Sequence, residues 1–230
     1  MTRLPPIVFL HGLATSGQRT WGDNGWLDLV TEANRSLIVI DIPGHGKAYD
    51  NAIDATFEKS LTYIKSKFPD GPIDAVGFSL GARFLLTIAS QDPTKFRKLV
   101  VAGVGENLFS RDEVRGKRIA EAISGDTKFD DPESQYFSQL ADATDINREI
   151  VQNLIRSPLL ELNTEMLSKI DCPVLVALGD KDFAGPPTKL LNALPNALHV
   201  ELRGVDHFAT PKDFSFIDET LKFLDAEPQW

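Results

Sequence analysis

The sequence predicts an α/β fold: a mostly parallel sheet of six strands with helices on both faces. Three observations carry this. First, short apolar runs recur at residues 7–10, 37–40, 73–76, 99–101, 174–178 and 198–202. They are rich in Val, Ile and Leu and mostly bounded by Gly, Pro or Asp, as strands buried on both faces are. Second, helical patterns fall between them, at residues 26–33, 57–67, 80–90, 187–194 and 214–224. Leu61, Ile64 and Phe68 have helical spacing, as do Ile217, Leu221 and Leu224. Strand–helix alternation implies parallel strands joined by crossover helices. Third, the rhythm breaks between residues 105 and 168, where helical patterns at 113–123, 133–141 and 146–155 follow one another with no strand-like run. The expected organisation is a core of residues 1–104 and 169–230, with a small helical insertion at 105–168.

Composition narrows the function. Hydrophobic residues make up 42% and charged residues 25% of the 230, as in an ordinary globular chain. The net charge of −9, without a basic stretch, disfavours nucleic acid and anionic membranes as partners. One cysteine, Cys172, allows no internal disulfide. Four scattered histidines and no zinc-type spacing lead us to expect no metal. The apolar run at 7–10 is too short for a signal sequence or a membrane span, so a cytoplasmic location is expected.

The chemistry concentrates at strand ends. Gly77-Phe78-Ser79-Leu80-Gly81 stands between an apolar segment and a helical pattern. A serine at such a strand-to-helix turn is held in a strained conformation with its oxygen projected above the sheet, and the flanking glycines leave room for the turn. The other strand ends carry His11-Gly12-Leu13-Ala14, Asp41-Ile42-Pro43-Gly44-His45-Gly46, Gly179-Asp180-Lys181-Asp182 and Gly204-Val205-Asp206-His207-Phe208. The carboxyl ends of parallel strands line one crevice. A serine, an acid and a histidine therefore reach one edge, in that chain order.

With these five motifs in this order, the sequence resembles the α/β-hydrolase superfamily, from Ile7 to about Leu224. The resemblance implies the six-stranded core, a cap formed by residues 105–168, and a serine-nucleophile branch that needs no cofactor. It implies Ser79 as nucleophile, His207 as general base and Asp182 as the acid that orients it. The backbone N–H groups of Leu13 and Leu80 are the implied oxyanion donors. A lone serine hydroxyl is too weakly acidic to attack an ester. A histidine takes its proton, and a carboxylate behind the histidine fixes the tautomer and stabilises the imidazolium.

Other readings of these residues stay open at this point. Ser79 also suits a helix N-cap, and His207 a surface position after a strand. Asp180 and Glu106 are rival positions for the acid. His11 and His45 read as structural supports, His199 as a half-exposed strand residue, and Cys172 as a small buried hydrophobe. Trp26 reads as packing, and Trp21 either walls the acyl pocket or packs. Phe78 and Phe208 are pocket candidates, and Phe109, Phe129, Tyr136 and Phe137 either face substrate or hold the cap down. The expected activity is hydrolysis of a small or medium acyl substrate, a carboxylic ester first. The alternatives are a cofactor-free C–C bond hydrolase or lyase, and a low-turnover ligand-binding receptor. Relatives with dehalogenase or epoxide hydrolase activity place aspartate at the elbow, where this chain has serine.

Overall fold

The computed structural model describes residues 4–51, 55–110, 112–125 and 129–228. Six strands form one sheet: β1 (Ile7–Leu10), β2 (Leu37–Ile40), β3 (Ile73–Phe78), β4 (Phe96–Ala102), β5 (Val174–Gly179) and β6 (Ala197–Leu202). All neighbours pair in parallel, in the order β2-β1-β3-β4-β5-β6. The pleat sends alternate residues to opposite faces. Val8 and Leu10 join one core cluster while Ile7 and Phe9 join the other. Both faces are covered, which explains why the strands read as continuous apolar runs rather than as alternation.

Helices α1 (Trp26–Glu32) and α9 (Phe214–Phe223) cover one face through Trp26, Val30, Phe216 and Leu221. Helices α2 (Phe57–Ser66), α3 (Leu80–Gln91) and α8 (Thr188–Ala193) cover the other through Phe57, Ile64, Phe84, Ile88 and Leu190. Phe57 stacks on Phe84 with ring centroids 4.4 Å apart, joining α2 to α3.

Between β4 and β5 the chain forms α4 (Glu113–Ser124), α5 (Pro132–Ala141), α6 (Arg148–Arg156) and α7 (Thr164–Leu167). Side-chain caps start them: Asp112 accepts from Arg115 N at 2.9 Å, Asp131 from Ser134 N at 2.9 Å and Asn147 from Ile150 N at 3.3 Å. Ile119, Ile123, Phe137 and Val151 from this stretch form a third cluster that includes Ala14 of the loop after β1. An antiparallel bridge between His45 and Ile146 ties the same stretch to the loop after β2.

Two features of the core differ from the sequence reading. Asp74, inside the run at 73–76, is fully buried and held by Arg35 (2.6 Å) and Arg97 (2.8 Å at Nε). Arg35 Nη2 also donates to the Pro5 carbonyl at 2.9 Å, so the pair ties the amino end of the sheet together. His199 is exposed rather than half-buried, because β6 is an edge strand and lacks a covering neighbour on one side. Among the described residues, no helix is long and apolar enough to cross a membrane.

Candidate active site

Ser79 occupies the residue between β3 and α3, with φ 53° and ψ −111°. A non-glycine residue at positive φ is a strained conformation, and such strain concentrates at functional sites. The flanking glycines are required by close approach. A Cβ on Gly81 would lie 2.4 Å from the Leu10 carbonyl oxygen, and one on Gly77 would lie 2.7 Å from the Ala82 nitrogen. Ser79 stands at the N-cap position of α3 yet makes no side-chain capping bond. Its hydroxyl instead lies 3.0 Å from His207 Nε2.

His207 follows β6 and is buried, as is Asp182 after β5. Asp182 Oδ1 and Oδ2 lie 2.9 and 3.0 Å from His207 Nδ1. The Ala184 N–H donates to Asp182 Oδ1 at 2.8 Å and fixes the carboxylate. The rivals for this place sit elsewhere. Asp180 is exposed and accepts from Gly204 N at 2.7 Å, bracing the two loops. Glu106 is exposed at the rim of a cavity. All four loops share one edge because all the strands run the same way.

Leu13 and Leu80 flank Ser79, Leu80 as the first residue of α3. An amide at the first turn of a helix has no intrahelical acceptor. The loop that carries Leu13 is held by two buried histidines. His11 Nε2 accepts from Ile42 N at 3.0 Å, and His45 Nε2 accepts from Ala14 N at 3.1 Å. Burial pushes the His45 pKa down to about 3, with neighbouring His11 adding to it, and burial lowers that of His11. Both are thereby kept neutral, which is the state able to accept at Nε2.

Comparison with known proteins fits this geometry. Residues 5–120 match the family described as alpha/beta hydrolase fold. This chain belongs to that family. It is similar to an AB hydrolase superfamily protein of Gibberella zeae, at 33% identity over 107 residues, 45% of this chain and 36% of that protein. The chain spans only 36%, 33% and 45% of the length of the first curated relatives it matches. A longer match, at 29% identity over 224 residues, covers 86% of this chain and 81% of the pimeloyl-[acyl-carrier protein] methyl ester esterase of Neisseria meningitidis. Among solved structures, MenH from S. aureus superposes with a TM-score of 0.75 at 21% identity, covering 100% of this chain and 96% of that one. Likeness at that identity shows the alpha/beta hydrolase fold.

Two cavities of this alpha/beta hydrolase fold meet at Ser79. The larger, about 420 Å³, runs under α4 and α6 and is walled by Leu80, Val104, Leu108, Ile119 and Leu154. Its charged members include Arg83, Glu106, Asp112 and Arg115. The smaller, about 260 Å³, contains His207 and is lined by Thr15, Arg19, Asp23, Asn24 and Lys212 with Phe78, Tyr136 and Phe208. Leu13, Ser79 and Phe137 border both.

Phe78 and Phe208 thus line the smaller cavity, and Phe208 stacks on Tyr136 with centroids 3.8 Å apart. Trp21 does neither: it is fully buried in the core, 5.3 Å from the Phe9 ring and 5.1 Å from the Trp26 ring, so packing wins over a pocket role. Trp26 packs in the same cluster and donates from Nε1 to the Pro211 carbonyl at 2.7 Å. Phe109 lies beneath Lys189, whose Nζ is 4.4 Å from the ring centroid, and Phe129 packs against the α4–α6 cluster. Cys172 is buried, and desolvation raises its thiol to about 11.

Sequence reasoning missed Phe183. Its ring centroid lies 4.1 Å from that of His207, the planes tilted by 31°, and the Arg115 guanidinium lies 4.2 Å from the same Phe183 centroid, so α4 is linked to the histidine through one aromatic ring. The available signal was its position directly after Asp182. Among the described residues, no group of three or more His, Cys, Asp or Glu is placed to hold a metal ion.

Proposed function

We propose that this chain is a serine hydrolase that cleaves a carboxylic ester of a small or medium acyl group through an acyl-enzyme on Ser79. The observation that carries the reading is the unbroken line Ser79 Oγ–His207 Nε2–Asp182, at 3.0 and 2.9 Å. His207 takes the Ser79 proton as Oγ attacks the ester carbonyl. Asp182 holds the Nδ1–H tautomer and stabilises the imidazolium that forms. The Leu13 and Leu80 amides receive the developing oxyanion; one such donor is worth about 100–1,000-fold in turnover. The tetrahedral intermediate collapses as His207 returns the proton to the departing alcohol. Water, deprotonated by His207, then releases the acid and restores Ser79. Residues 105–168 act in this reading as a cap that walls off the acyl cavity. Similarity to an esterase over most of both chains supports the ester as substrate.

The test is steady-state hydrolysis of p-nitrophenyl acetate, butyrate and octanoate by the wild type and by Ser79→Ala. The reading expects turnover in the wild type and its loss in the variant. Full activity in Ser79→Ala removes Ser79 from the chemistry.

A further inference from the structure

The two cavities are chemically unlike, and their relation to His207 fixes which end of the ester each takes. The histidine must protonate the departing alcohol, so the leaving group lies on its side of Ser79. That is the smaller cavity, the one that contains His207 and is edged by Thr15, Arg19, Asn24 and Lys212. The acyl chain is left with the larger one, whose walls are buried aliphatic and aromatic side chains: Val104, Leu108, Ile119, Phe137 and Leu154. Of its polar members, Glu106, Ser110 and Asp112 are exposed, which puts them at the open rim.

One wall of the larger cavity has no side chain. Gly116 lies inside α4, a 12-residue helix, and lines this cavity. Glycine in a helix interior is less favourable than alanine. Nothing steric demands it, because a Cβ built there meets no atom within 4 Å, and its φ lies outside the left-handed region. Ile119 and Ala120, three and four residues on, share its face of the helix and are buried. The space beside Gly116 is therefore cavity on the inward face of α4.

We propose that the acyl chain of the substrate occupies the larger cavity and that Gly116 sets the chain length it accepts. The proposal rests on the ester-hydrolase reading for its assignment of ends. It predicts a substrate with an apolar acyl chain of several carbons on a small polar alcohol, rather than a short acyl group on a long apolar alcohol. It also makes the glycine a specificity-determining residue that never touches the reacting atoms.

The experiment compares kcat/KM for p-nitrophenyl octanoate and acetate in the wild type, Gly116→Ala, Gly116→Leu and Val114→Leu. Val114 is on the same helix but 79% exposed and serves as control. Each methylene desolvated is worth about fourfold in binding, so Gly116→Leu lowers the octanoate-to-acetate ratio by at least about tenfold. Gly116→Ala lowers it by at most about fourfold, and Val114→Leu leaves it unchanged. Both Gly116 variants are better helix formers and keep or raise the Tm. The ethyl octanoate and octyl acetate pair, isomers with the long chain on opposite sides, gives faster hydrolysis of the former. Binding of sodium octanoate, followed by calorimetry, reads the cavity without turnover and is weakened about tenfold or more by Gly116→Leu. An unchanged ratio or unchanged octanoate binding in Gly116→Leu overturns the proposal, as does a preference for octyl acetate or no octanoate binding to the wild type. A wild type that binds octanoate, loses it in Gly116→Leu and hydrolyses no ester retires the ester reading alone.

Discussion

Replacing Asp182 by asparagine keeps the shape of the acid and removes its charge. In the native site both carboxylate oxygens lie 2.9–3.0 Å from His207 Nδ1, and the pair is buried. In the proposed mechanism His207 takes the Ser79 proton, and the imidazolium forms directly against that carboxylate. Two unit charges about 4 Å apart at an effective dielectric of about 20 interact by about 4 kcal/mol, which is about 10³-fold in rate. The carboxamide adds a second penalty. Ala184 N–H donates to Oδ1, so the amide oxygen stays there, 2.9 Å from Nδ1, while the NH₂ group takes the place of Oδ2 at 3.0 Å and competes with it for the same nitrogen. The amide thereby loosens the hold on the Nδ1–H tautomer, the one whose Nε2 can accept from Ser79. The expected loss in kcat is about 10³–10⁴-fold, with KM little changed, because the lost interaction belongs to the transition state. The assay is steady-state hydrolysis of p-nitrophenyl butyrate, with circular dichroism to show that the variant is folded. Asp180→Asn and Glu106→Gln are the controls and keep activity within about threefold. A loss below about tenfold in folded Asp182→Asn refutes the reasoning, and the full loss in Asp180→Asn instead moves the acid to that residue.

Two further predictions concern the frame that holds the site. Asp74→Ala leaves the buried Arg35 guanidinium and half-buried Arg97 without their shared carboxylate, and breaking a buried pair costs about 3–5 kcal/mol; urea unfolding measures it, and a loss below about 1 kcal/mol contradicts the burial argument. His45 is held neutral with a pKa near 3 when folded and returns to its ordinary 6.5 on unfolding, so the unfolded chain binds more protons in that window. Its contribution to stability is complete above about pH 6.5 and is lost as pH falls toward 3, by up to about 1.4 kcal/mol per pH unit. Urea midpoints between pH 7 and 5 reveal a steeper decline for the wild type than for His45→Gln, and parallel slopes sink the assignment.

The inner strands were legible because β1, β3, β4 and β5 are largely buried on both faces and so read as short apolar runs. The meeting of Ser79, Asp182 and His207 was legible because it depends on chain order and parallel direction, both local properties of the motifs. Trp21 was not, since the choice between pocket wall and core is made by Phe9 and Trp26, which the sequence does not bring near it. Asp74 hid inside an apolar run, its partners Arg35 and Arg97 being 39 and 23 residues away. Phe183 was overshadowed by its neighbour Asp182, and the loop after β6 that brings His207 against its ring is far off in sequence.

The two histidines read as structural hold the loops after β1 and β2 together through the backbone. Ala14 has φ 54° and gives its N–H to His45 Nε2. The adjacent Leu13 amide donates to no backbone acceptor among the described residues, so the loop commits one N–H to its own support and leaves the next, the proposed oxyanion donor, uncommitted. His45 Nδ1 is 3.1 Å from both the Ile42 and Pro43 carbonyls, which fixes the tautomer with Nε2 free to accept. The ring bridges the loop after β2 to the loop after β1, while the backbone of His45 bridges to Ile146. One buried neutral imidazole thereby positions the proposed oxyanion loop against both the sheet and the helical stretch above it. Protonating that ring would remove the acceptor for Ala14, so the same burial that lowers its pKa keeps the loop after β1 held.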